Sequence, residues 1–525
     1  MSNHTGCPMN RRAFLKALGI GAAASAVTVG PATGAAVATP GSAGANSGGT
    51  PRTPFRTTFG RMFPQLPPFA PPGEGLTEAL VDIGRKGGIL DAGDDLTADP
   101  LDLILDPALR VNNPDNPAHT AGVTFVGQFI DHDVTFDVGS ALGVPTDPRT
   151  STNGRTPALD LDSVYGLGPV ASPQLFDSGN RAKFHYETGG LFEDVPRGGN
   201  MAAVIADPRN DEHVILSGMH CAFMRFHNEA VEILARPGMR DLEVFDAARR
   251  LTTWHYQWMV VNQFLPLFCG PAMVDDVMRN GRRWYTAGDF MPVEFQGAAY
   301  RFGHSMVRPS YRANMTGHGG GPFIGMIFDA GAGPSDDPDD LVGGFRAPRR
   351  FVGWETFFDF GDGNVRNNKL IDTKLSTPLF NLPLSSIATG DQPQVLAQRN
   401  LLRHVTWGMP SGQSIAATMG VPPLAPGDLA ELSAYGLGLE RSTPLWYYVL
   451  KEAELVDGGL HLGPVGGRIV AEVLVGLLRA DPNAYLNAPR RWAPTLPRRS
   501  GQVTGRFEMV DFLTFAKVDP ASRAS

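Results

Sequence analysis

Hydrophobic positions along most of the chain recur every three or four residues, which is the spacing of one buried face of an α-helix. Between residues 122 and 136, for example, Val123, Val126, Phe129 and Ile130 fall on the same side of a helix. Strand-like alternation is scarce. The pattern therefore predicts an all-α, mainly α-helical fold with few short strands.

The same spacing predicts five further helices, and one short run is predicted as a strand. The helices are 214–234, 242–265 closed by Pro266, 394–407, 444–455 and 466–480, and the strand is 203–206. Long irregular stretches rich in proline and glycine connect them. We expect one large domain with long irregular loops, covering residues 56–525.

The first residues are predicted to be an export signal. Residues 10–16 contain the pair Arg11 and Arg12 followed by Phe-Leu-Lys, and a mildly apolar run leads to the small residues Ala36-Val37-Ala38. This resembles a twin-arginine signal, here residues 1–38, which hands a folded protein to the twin-arginine export machinery. Residues 39–55 are predicted to be a flexible linker. The protein is expected in the periplasm or outside the cell, without a stable membrane anchor.

Composition narrows the possible partners. The 525 residues are 42% hydrophobic and 19% charged, which is typical of a globular protein. The net charge of −8 becomes −11 once the signal, with three basic residues and no acidic one, is removed. Such an acidic chain is not expected to bind nucleic acid.

Cysteine chemistry offers little. Of the three cysteines, Cys7 lies in the signal, which leaves Cys221 and Cys269. Two buried thiols are the favoured interpretation, and a disulfide between them stays open. No CxxC pair or thiolate zinc pattern occurs.

Several familiar catalytic motifs are absent or incomplete. The run His318-Gly319-Gly320-Gly321 is similar to a lipase oxyanion loop, but no Gly-x-Ser-x-Gly accompanies it, so a flexible glycine loop is predicted. The pair Gly166 and Gly168 lacks the third glycine of a dinucleotide fingerprint, and neither a Walker loop nor an HExxH motif is present.

Residues 127–133 concentrate polar chemistry inside a helix that is otherwise apolar. Gln128 and His132 are four residues apart and stand one above the other, and Asp131 borders the same face. Asp133 points about 100 degrees away from His132. One face of this helix is therefore expected to serve a cavity, and Asp133 to serve another purpose.

Three further polar groups lie on or beside predicted helices: residues 207–212, 301–304 and 400–403. Singly, each has an ordinary explanation, such as a weak ion pair between Arg209 and Glu212 at a helix start. His220 and His227, seven residues apart on one helix face, are predicted to be structural.

Together and in this order, the four groups resemble the animal-type haem peroxidases of the peroxidase–cyclooxygenase superfamily. That family carries Gly-Gln-x-x-Asp-His-Asp, then Arg-x-x-Glu, then Arg-x-Gly-His, then Asn-x-x-Arg, and all four occur here between about Thr120 and Arg403. Trp254 to Pro266 fits the family as well. The segments before and after this region match less specifically.

The resemblance implies a haem b-derived cofactor. His304 is expected to bind the iron through one ring nitrogen while Asn400 holds the other ring N–H, which fixes the tautomer. Arg403 is expected to pair with a haem propionate, and Arg301, in the motif of the iron ligand, belongs to the same cofactor-binding set.

On the opposite side, the resemblance assigns catalysis to three residues. His132 is expected to take a proton from hydrogen peroxide and return it to the departing oxygen. Arg209 stabilises the developing negative charge, and Gln128 orients peroxide, water or halide. The haem becomes a ferryl species, which small anions (iodide, bromide, thiocyanate) or phenols then reduce.

Two carboxylates imply covalent attachment. In mammalian members, the residues at the places of Asp131 and Glu212 form ester bonds to the haem methyl groups. A third, sulfonium link in myeloperoxidase uses a methionine directly after that glutamate, and this chain has His213 there. Two ester links and no sulfonium are therefore expected.

The resemblance also implies calcium. Asp133 matches one ligand of the family, and Thr156, the Ala158 carbonyl, Asp160 and Asp162 match the others. Oxygen donors at alternating positions suit Ca²⁺. Asp162 stands where a serine is usual, which adds charge and keeps an oxygen.

Two alternatives remain. A fatty-acid dioxygenase of the same superfamily needs a tyrosine three residues before the iron ligand; Arg301 occupies that position, and Tyr300 is one residue away on another helical face. A non-enzymatic adhesion or matrix protein built on this fold is the other, which the intact set of His132, Arg209 and His304 disfavours.

Overall fold

The computed structural model describes residues 55–333 and 335–523, so the predicted signal and residues 39–54 of the predicted linker lie outside the described residues. Sixteen α-helices dominate this part of the chain. They are α1 (Glu74–Ile83), α2 (Asp102–Leu105), α3 (Gly122–Val134), α4 (Asp162–Tyr165), α5 (Gly168–Ala171), α6 (Val214–Leu234), α7 (Asp241–Met259), α8 (Leu265–Cys269), α9 (Pro271–Asn280), α10 (Val293–Gln296), α11 (Leu396–Thr406), α12 (Gly412–Met419), α13 (Leu445–Asp457), α14 (Pro464–Ala480), α15 (Met509–Phe515) and α16 (Pro520–Arg523). The predicted mainly α-helical class is confirmed.

Strands are few and short within the described ranges, and they form four separate two-stranded sheets. They are β1 (Phe59–Gly60), β2 (Asp115–Thr120), β3 (Glu187–Thr188), β4 (Glu193–Asp194), β5 (Met291–Pro292), β6 (Ser310–His318), β7 (Gly321–Met326) and β8 (Asn367–Lys369). β1 pairs with β5 in parallel, whereas β2 with β8, β3 with β4 and β6 with β7 are antiparallel.

The core is built where the apolar faces of α3 and α6 meet. Phe129 of α3 stacks on Phe223 of α6 with ring centroids 4.5 Å apart, and Tyr256 of α7 meets both rings edge to face. Burial of such large aromatic side chains provides much of the driving force for folding. This packing holds α3 rigidly, with its polar face turned toward a cavity.

One helix end was predicted wrongly. The prediction closed the helix that begins near residue 242 at Pro266, but α7 passes through a π-helical turn at Val260–Phe264 into α8, where Pro266 lies in the first turn. Pro266 has no N–H to donate to the preceding turn, and the π-helical turn directly before it changes the hydrogen-bond pattern at this point. The chain therefore continues helically to Cys269.

The strand predicted at 203–206 was also wrong, because Ala203 makes only an isolated bridge to Arg197. The longest strand is instead β6, which forms a hairpin with β7. The predicted glycine loop is its turn: Gly319 and Gly320 adopt φ angles of 60° and 90°, a region that glycine enters without steric cost. The glycines therefore serve a tight turn rather than a flexible loop.

Two buried polar side chains outside the cavity, Glu472 and His227, form hydrogen bonds to backbone groups. Glu472, inside the apolar helix α14, accepts the N–H groups of Arg283, Trp284 and Tyr285. His227 bonds to Tyr165 and to the carbonyl of Ala182, a structural role of the kind predicted for it.

Three further findings concern the termini and surface of the described region. Phe55, the last residue of the predicted linker, is buried in the core. Cys221 and Cys269 are both buried free thiols. Among the described helices, none combines the length and apolar character that crossing a membrane requires.

Candidate active site

One cavity collects side chains from all four polar groups of the sequence. Its walls come from α3, the 3-10 segments Pro208–Asp211 and Ala299–Met306, and α11. Protein atoms leave about 1370 Å³ empty there, part of it continuous with solvent. The polar lining from these groups consists of Gln128, Asp131, His132, Arg209, Glu212, Arg301, His304 and Arg403, and Arg399 of α11 adds a further cation. Much of the remaining wall is apolar, as is usual for a cofactor site.

His132 faces this cavity as a neutral ring. Its Nδ1 lies 3.0 Å from Oδ1 of Asn210, and the amide nitrogen of Asn210 lies 3.0 Å from Nδ1 of His220. Burial, followed by the charge of Arg209, lowers the pKa of His132 to about 3. The bond to Asn210 places the ring proton on Nδ1, so that Nε2 is free to accept a proton. Sequence reasoning predicted His220 as structural but missed Asn210.

Arg209 is held rigidly beside His132. The guanidinium of Arg209 donates two hydrogen bonds to the Asp207 carboxylate, at 3.0 Å and 2.7 Å, and a third to the His132 carbonyl at 3.0 Å. The guanidinium carbon also lies 4.3 Å from the centre of the Phe136 ring. The ion-pair partner of Arg209 is therefore Asp207. The ordinary explanation from the sequence was an ion pair between Arg209 and Glu212. The signal available for Asp207 was its place before Pro208, a pattern that starts a helical turn.

Gln128 forms hydrogen bonds to Glu212 and to His213, which was not among the predicted site residues. Its Nε2 donates to Oε2 of Glu212 at 3.0 Å, and its Oε1 lies 3.0 Å from Nε2 of His213. Burial raises the pKa of Glu212 to about 8, so this carboxyl group is largely protonated at neutral pH. Asp131 lies on the same wall and accepts a bond from the Thr135 hydroxyl at 3.2 Å.

His304 also lines the cavity, from the 3-10 segment Ala299–Met306. Its Nδ1 lies 2.8 Å from the side-chain amide of Asn400 on α11. Burial and the cations of Arg301 and Arg403 lower the pKa of His304 to about 3, which keeps the ring neutral. A neutral imidazole is the form that ligates a metal.

The amide of Asn400 indicates how a metal-binding ring would be held. In the arrangement with Nδ2 toward His304, Oδ1 of Asn400 is buried and has no hydrogen-bond partner among the described residues. Rotating the amide by 180 degrees, which leaves its shape unchanged, lets Oδ1 accept the Nδ1–H of His304. The lone pair of Nε2 is then directed away from Asn400, as an iron ligand requires.

Two cations share the cavity wall beside His304. Arg403 pairs with Asp137 at 2.7 Å, whereas Arg301 donates from Nε to the Gln296 carbonyl and forms no ion pair with any residue in the described ranges. Burial and the nearby Arg403 lower the pKa of Arg301 to about 9. One carboxylate thus faces two guanidinium groups, which suits a ligand that brings carboxylates, such as the propionates of haem. Sequence reasoning did not find Asp137.

Asp133 points away from the cavity into a second cluster. Oxygen atoms of Asp133, Asp160 and Asp162 all lie within 4.8 Å of one another. Burial and the neighbouring carboxylates raise the pKa of each, to about 7 for Asp162. Oδ1 of Asp162 is buried without a hydrogen-bond partner among the residues that the structure describes. Such a set of carboxylates is stabilised by a bound cation, and oxygen ligands suit Ca²⁺.

The two other predicted calcium ligands lie in the turn that leads into this cluster. The carbonyls of Thr156 and Ala158 accept the N–H groups of Ala158 and Asp160, and the Thr156 N–H donates to Asp162. Arg155 and Arg249 approach Asp162 and Asp160 at 3.8 Å and 4.0 Å. These arginines offset only part of the acidic charge.

Tyr300 was expected on another face, but the structure places it in the cavity wall. Its hydroxyl donates to the Gly127 carbonyl of α3 at 3.1 Å, and its ring stacks on Phe295 with centroids 4.5 Å apart. The difference arises because the segment is a 3-10 helix that packs directly against α3, so successive residues reach the same cavity.

The comparisons with known sequences concern the central region of the chain. The profile of the animal haem peroxidase family matches residues 138–322, which include Arg209, Glu212 and His304. Human eosinophil peroxidase is 28% identical over 183 residues, 31% of this chain and 25% of that protein. Heme peroxidase 2 of Caenorhabditis elegans is 32% identical over 111 residues, 19% of this chain and 16% of that protein. The chain thus matches about a quarter or less of the length of these relatives.

Solved structures show the fold over a longer stretch. Peroxidase A from Dictyostelium discoideum has a TM-score of 0.54 at 16% identity, with 82% of this chain and 89% of that chain covered. Fatty acid alpha-dioxygenase from Oryza sativa has a TM-score of 0.52 at 14% identity, covering 73% of each chain. At such identities the likeness concerns the fold alone. Residues 138–322 thus match the animal haem peroxidase family, and the fold around them is similar to that of these solved structures.

Proposed function

We propose that this protein is a haem-dependent peroxidase that uses hydrogen peroxide to oxidise small anions, such as iodide, bromide and thiocyanate, or phenols. The observation that carries the proposal is the set of side chains that line one cavity. His132 and Arg209 line it together with His304, whose ring is backed by Asn400.

Each polar side chain of the cavity has a separate role in the proposed reaction. The bound haem iron supplies the electron transfer. His132 accepts a proton at Nε2 from hydrogen peroxide and holds it for the departing oxygen. Arg209, fixed by Asp207, stabilises negative charge on that oxygen, and Gln128 positions the peroxide. Arg301 and Arg403 would hold the propionates.

The proposal is tested by the absorption spectrum followed by turnover. Protein produced with added haem is expected to show a Soret band and peroxide-dependent oxidation of iodide, bromide and a phenol measured in parallel. A protein that shows no Soret band after haem supplementation would overturn the proposal. The relative rates on the three donors then identify the preferred class.

A second candidate is a fatty-acid dioxygenase, favoured by the position of Tyr300 in the cavity wall. Oxygen uptake with linoleate, without peroxide turnover and abolished in Tyr300→Phe, would favour it. A peroxidase is expected to keep its activity within about twofold in this variant, because the Tyr300 hydroxyl only donates to a backbone carbonyl. The peroxidase is preferred because Arg301 occupies the position three residues before His304.

We further propose ester bonds from Asp131 and Glu212 to two haem methyl groups. Both side chains line the cavity. Each ester joins a carboxyl oxygen to a methyl carbon, and hydrogen peroxide accepts the two electrons and two hydrogens to become two waters. Acidified organic solvent is expected to leave haem on the wild-type polypeptide and to release it from the variant that combines Asp131→Ala with Glu212→Gln. Complete release from the wild type would contradict the esters.

We also propose that Asp133, Thr156, Ala158, Asp160 and Asp162 bind Ca²⁺. Chelation by EGTA is expected to lower the melting temperature, because carboxylates within 4.8 Å of one another then repel without a counter-ion. Differential scanning calorimetry with and without Ca²⁺ measures the effect. Asp160→Asn should reduce the Ca²⁺-dependent shift, whereas the exposed Asp102→Asn should keep it. An identical melting temperature with and without EGTA would refute the site.

Export by the twin-arginine route is our proposal for localisation. It rests on Arg11 and Arg12 and on the small-residue pattern that ends at Ala38. Replacing both arginines by lysine is expected to retain the protein in the cytoplasm, measured by cell fractionation. Unchanged export of this variant would exclude the route.

A further inference from the structure

His213 begins helix α6 and also touches the cavity. As the residue that caps the helix, it accepts the N–H of Leu216 at its Nδ1, at 3.3 Å. The ring is 2% exposed and meets Phe125 edge to face with centroids 5.2 Å apart. Burial lowers the pKa of His213 to about 3, so the ring is neutral at the pH of ordinary function.

The direction of the hydrogen bonds around His213 follows from the backbone. A backbone N–H can only donate, so Nδ1 of His213 carries no proton, and in a neutral ring the proton is then on Nε2. Nε2 lies 3.0 Å from Oε1 of Gln128, which can only accept. The amide of Gln128 therefore has its oxygen toward His213 and its nitrogen toward Glu212, where the second bond of 3.0 Å is formed.

The hydrogen bonds from His213 to Gln128 and from Gln128 to Glu212 leave one N–H of the Gln128 amide without an acceptor among the described residues. Nε2 of Gln128 carries two hydrogens, and Glu212 is its one acceptor among the described residues. The second hydrogen is available to a ligand, and the cation of Arg209 lies on the same wall. A Gln128 side chain free to rotate could present its carbonyl oxygen instead, which would repel an anion and accept bonds from a donor.

We propose that His213 is a specificity-determining positioning residue, which holds Gln128 as a hydrogen-bond donor and so makes the cavity select small anions and other hydrogen-bond acceptors. This inference rests on the proposed function and names its ligand class. His213 does not touch the reacting atoms; it acts through Gln128. An apolar side chain or a thioether at this position could not donate the bond that fixes the amide.

Two variants separate this role from the helix cap. His213→Asn retains an oxygen that caps the helix, because asparagine is a favoured residue at this position, but its side chain is too short to reach Gln128. His213→Leu removes both the cap and the donor. Ser411→Ala is the matched control, since Ser411 caps α12 through the Ser414 N–H and does not line the cavity.

The measurement is the dissociation constant of ligands of the haem-loaded protein, from optical titration. Fluoride and azide are anions that accept hydrogen bonds, and carbon monoxide, bound to the reduced protein, is a weak acceptor. Both His213 variants are expected to bind fluoride and azide about tenfold more weakly, the effect of one lost hydrogen bond, and carbon monoxide within about twofold of wild type. Only His213→Leu and Ser411→Ala should lower the melting temperature markedly.

Three results would overturn the inference. One is unchanged anion affinity in both variants, and another is an equal loss for the anions and carbon monoxide. The third is a proton on Nδ1 of His213 in the diamagnetic carbon monoxide complex, read from the nitrogen-15 shifts of the ring. If haem binding and peroxide turnover are intact in these experiments, such a failure concerns His213 alone. A wild-type protein that shows no haem spectrum would contradict both the proposed peroxidase function and the role of His213.

Discussion

Replacing His132 by alanine is expected to slow the reaction of the haem-loaded protein with hydrogen peroxide by about 100- to 10,000-fold, the usual contribution of a general base. His132 is the neutral imidazole of this wall whose Nε2 faces the cavity, because Asn210 holds Nδ1. Arg209 remains in the variant and still stabilises charge, which is why some reactivity should persist. Stopped-flow spectroscopy at increasing peroxide concentration gives the second-order rate constant.

A matched histidine tests whether the effect belongs to the cavity. His461, half-exposed and paired with Asp457, has no contact with the site, so His461→Ala should react with peroxide at the wild-type rate. The Soret band of His132→Ala should also keep its intensity, since the expected iron ligand, His304, is unchanged. A wild-type rate constant in His132→Ala would assign the proton transfer elsewhere.

Replacing His304 by alanine is expected to remove the side chain that would ligate the haem iron and to reduce peroxide turnover at least 100-fold. Asn400→Leu should act in the same direction but less strongly, because loss of a hydrogen bond behind a metal ligand typically costs 10- to 100-fold in affinity or activity. The haem-to-protein ratio after gel filtration and the position of the Soret band measure both variants.

Added imidazole distinguishes loss of the ligand from loss of the fold. A cavity left by the missing ring can admit imidazole, so the spectrum and part of the turnover of His304→Ala should return with it. Asn400→Leu retains its histidine and should not respond. A wild-type spectrum in His304→Ala without imidazole would show that another group binds the iron.

The helices that sequence reasoning located well are long and amphipathic. The prediction of 214–234 coincides with α6, and that of 122–136 exceeds α3 by only two residues. In both, apolar residues at helical spacing have a large core to face, so local pattern and tertiary packing agree. The strand at 203–206 failed because a strand exists only if a neighbour pairs with it, and its pairing is confined to one isolated bridge at Ala203.

The site residues that belong to the four sequence motifs could be predicted from the sequence. The order of the four polar groups placed Gln128, His132, Arg209 and His304 in one hypothesis, and the structure brings all four to one cavity. Their supporting partners were not predicted. Asn210 reaches His132 across 78 positions of sequence, and Asp137 reaches Arg403 across 266.

The difference has a physical cause. The sequence alone predicted the helical class, the resemblance to the animal haem peroxidases and the candidate catalytic residues, because helical periodicity and residue type are local properties of the chain. The tertiary structure alone decided which groups are buried, what their pKa values are, and in which direction each hydrogen bond runs, because these depend on distances between segments far apart in sequence. His213 illustrates both points. The sequence shows that this residue is a histidine, but its hydrogen bond to Gln128 forms only because α6 begins next to α3 in the folded protein.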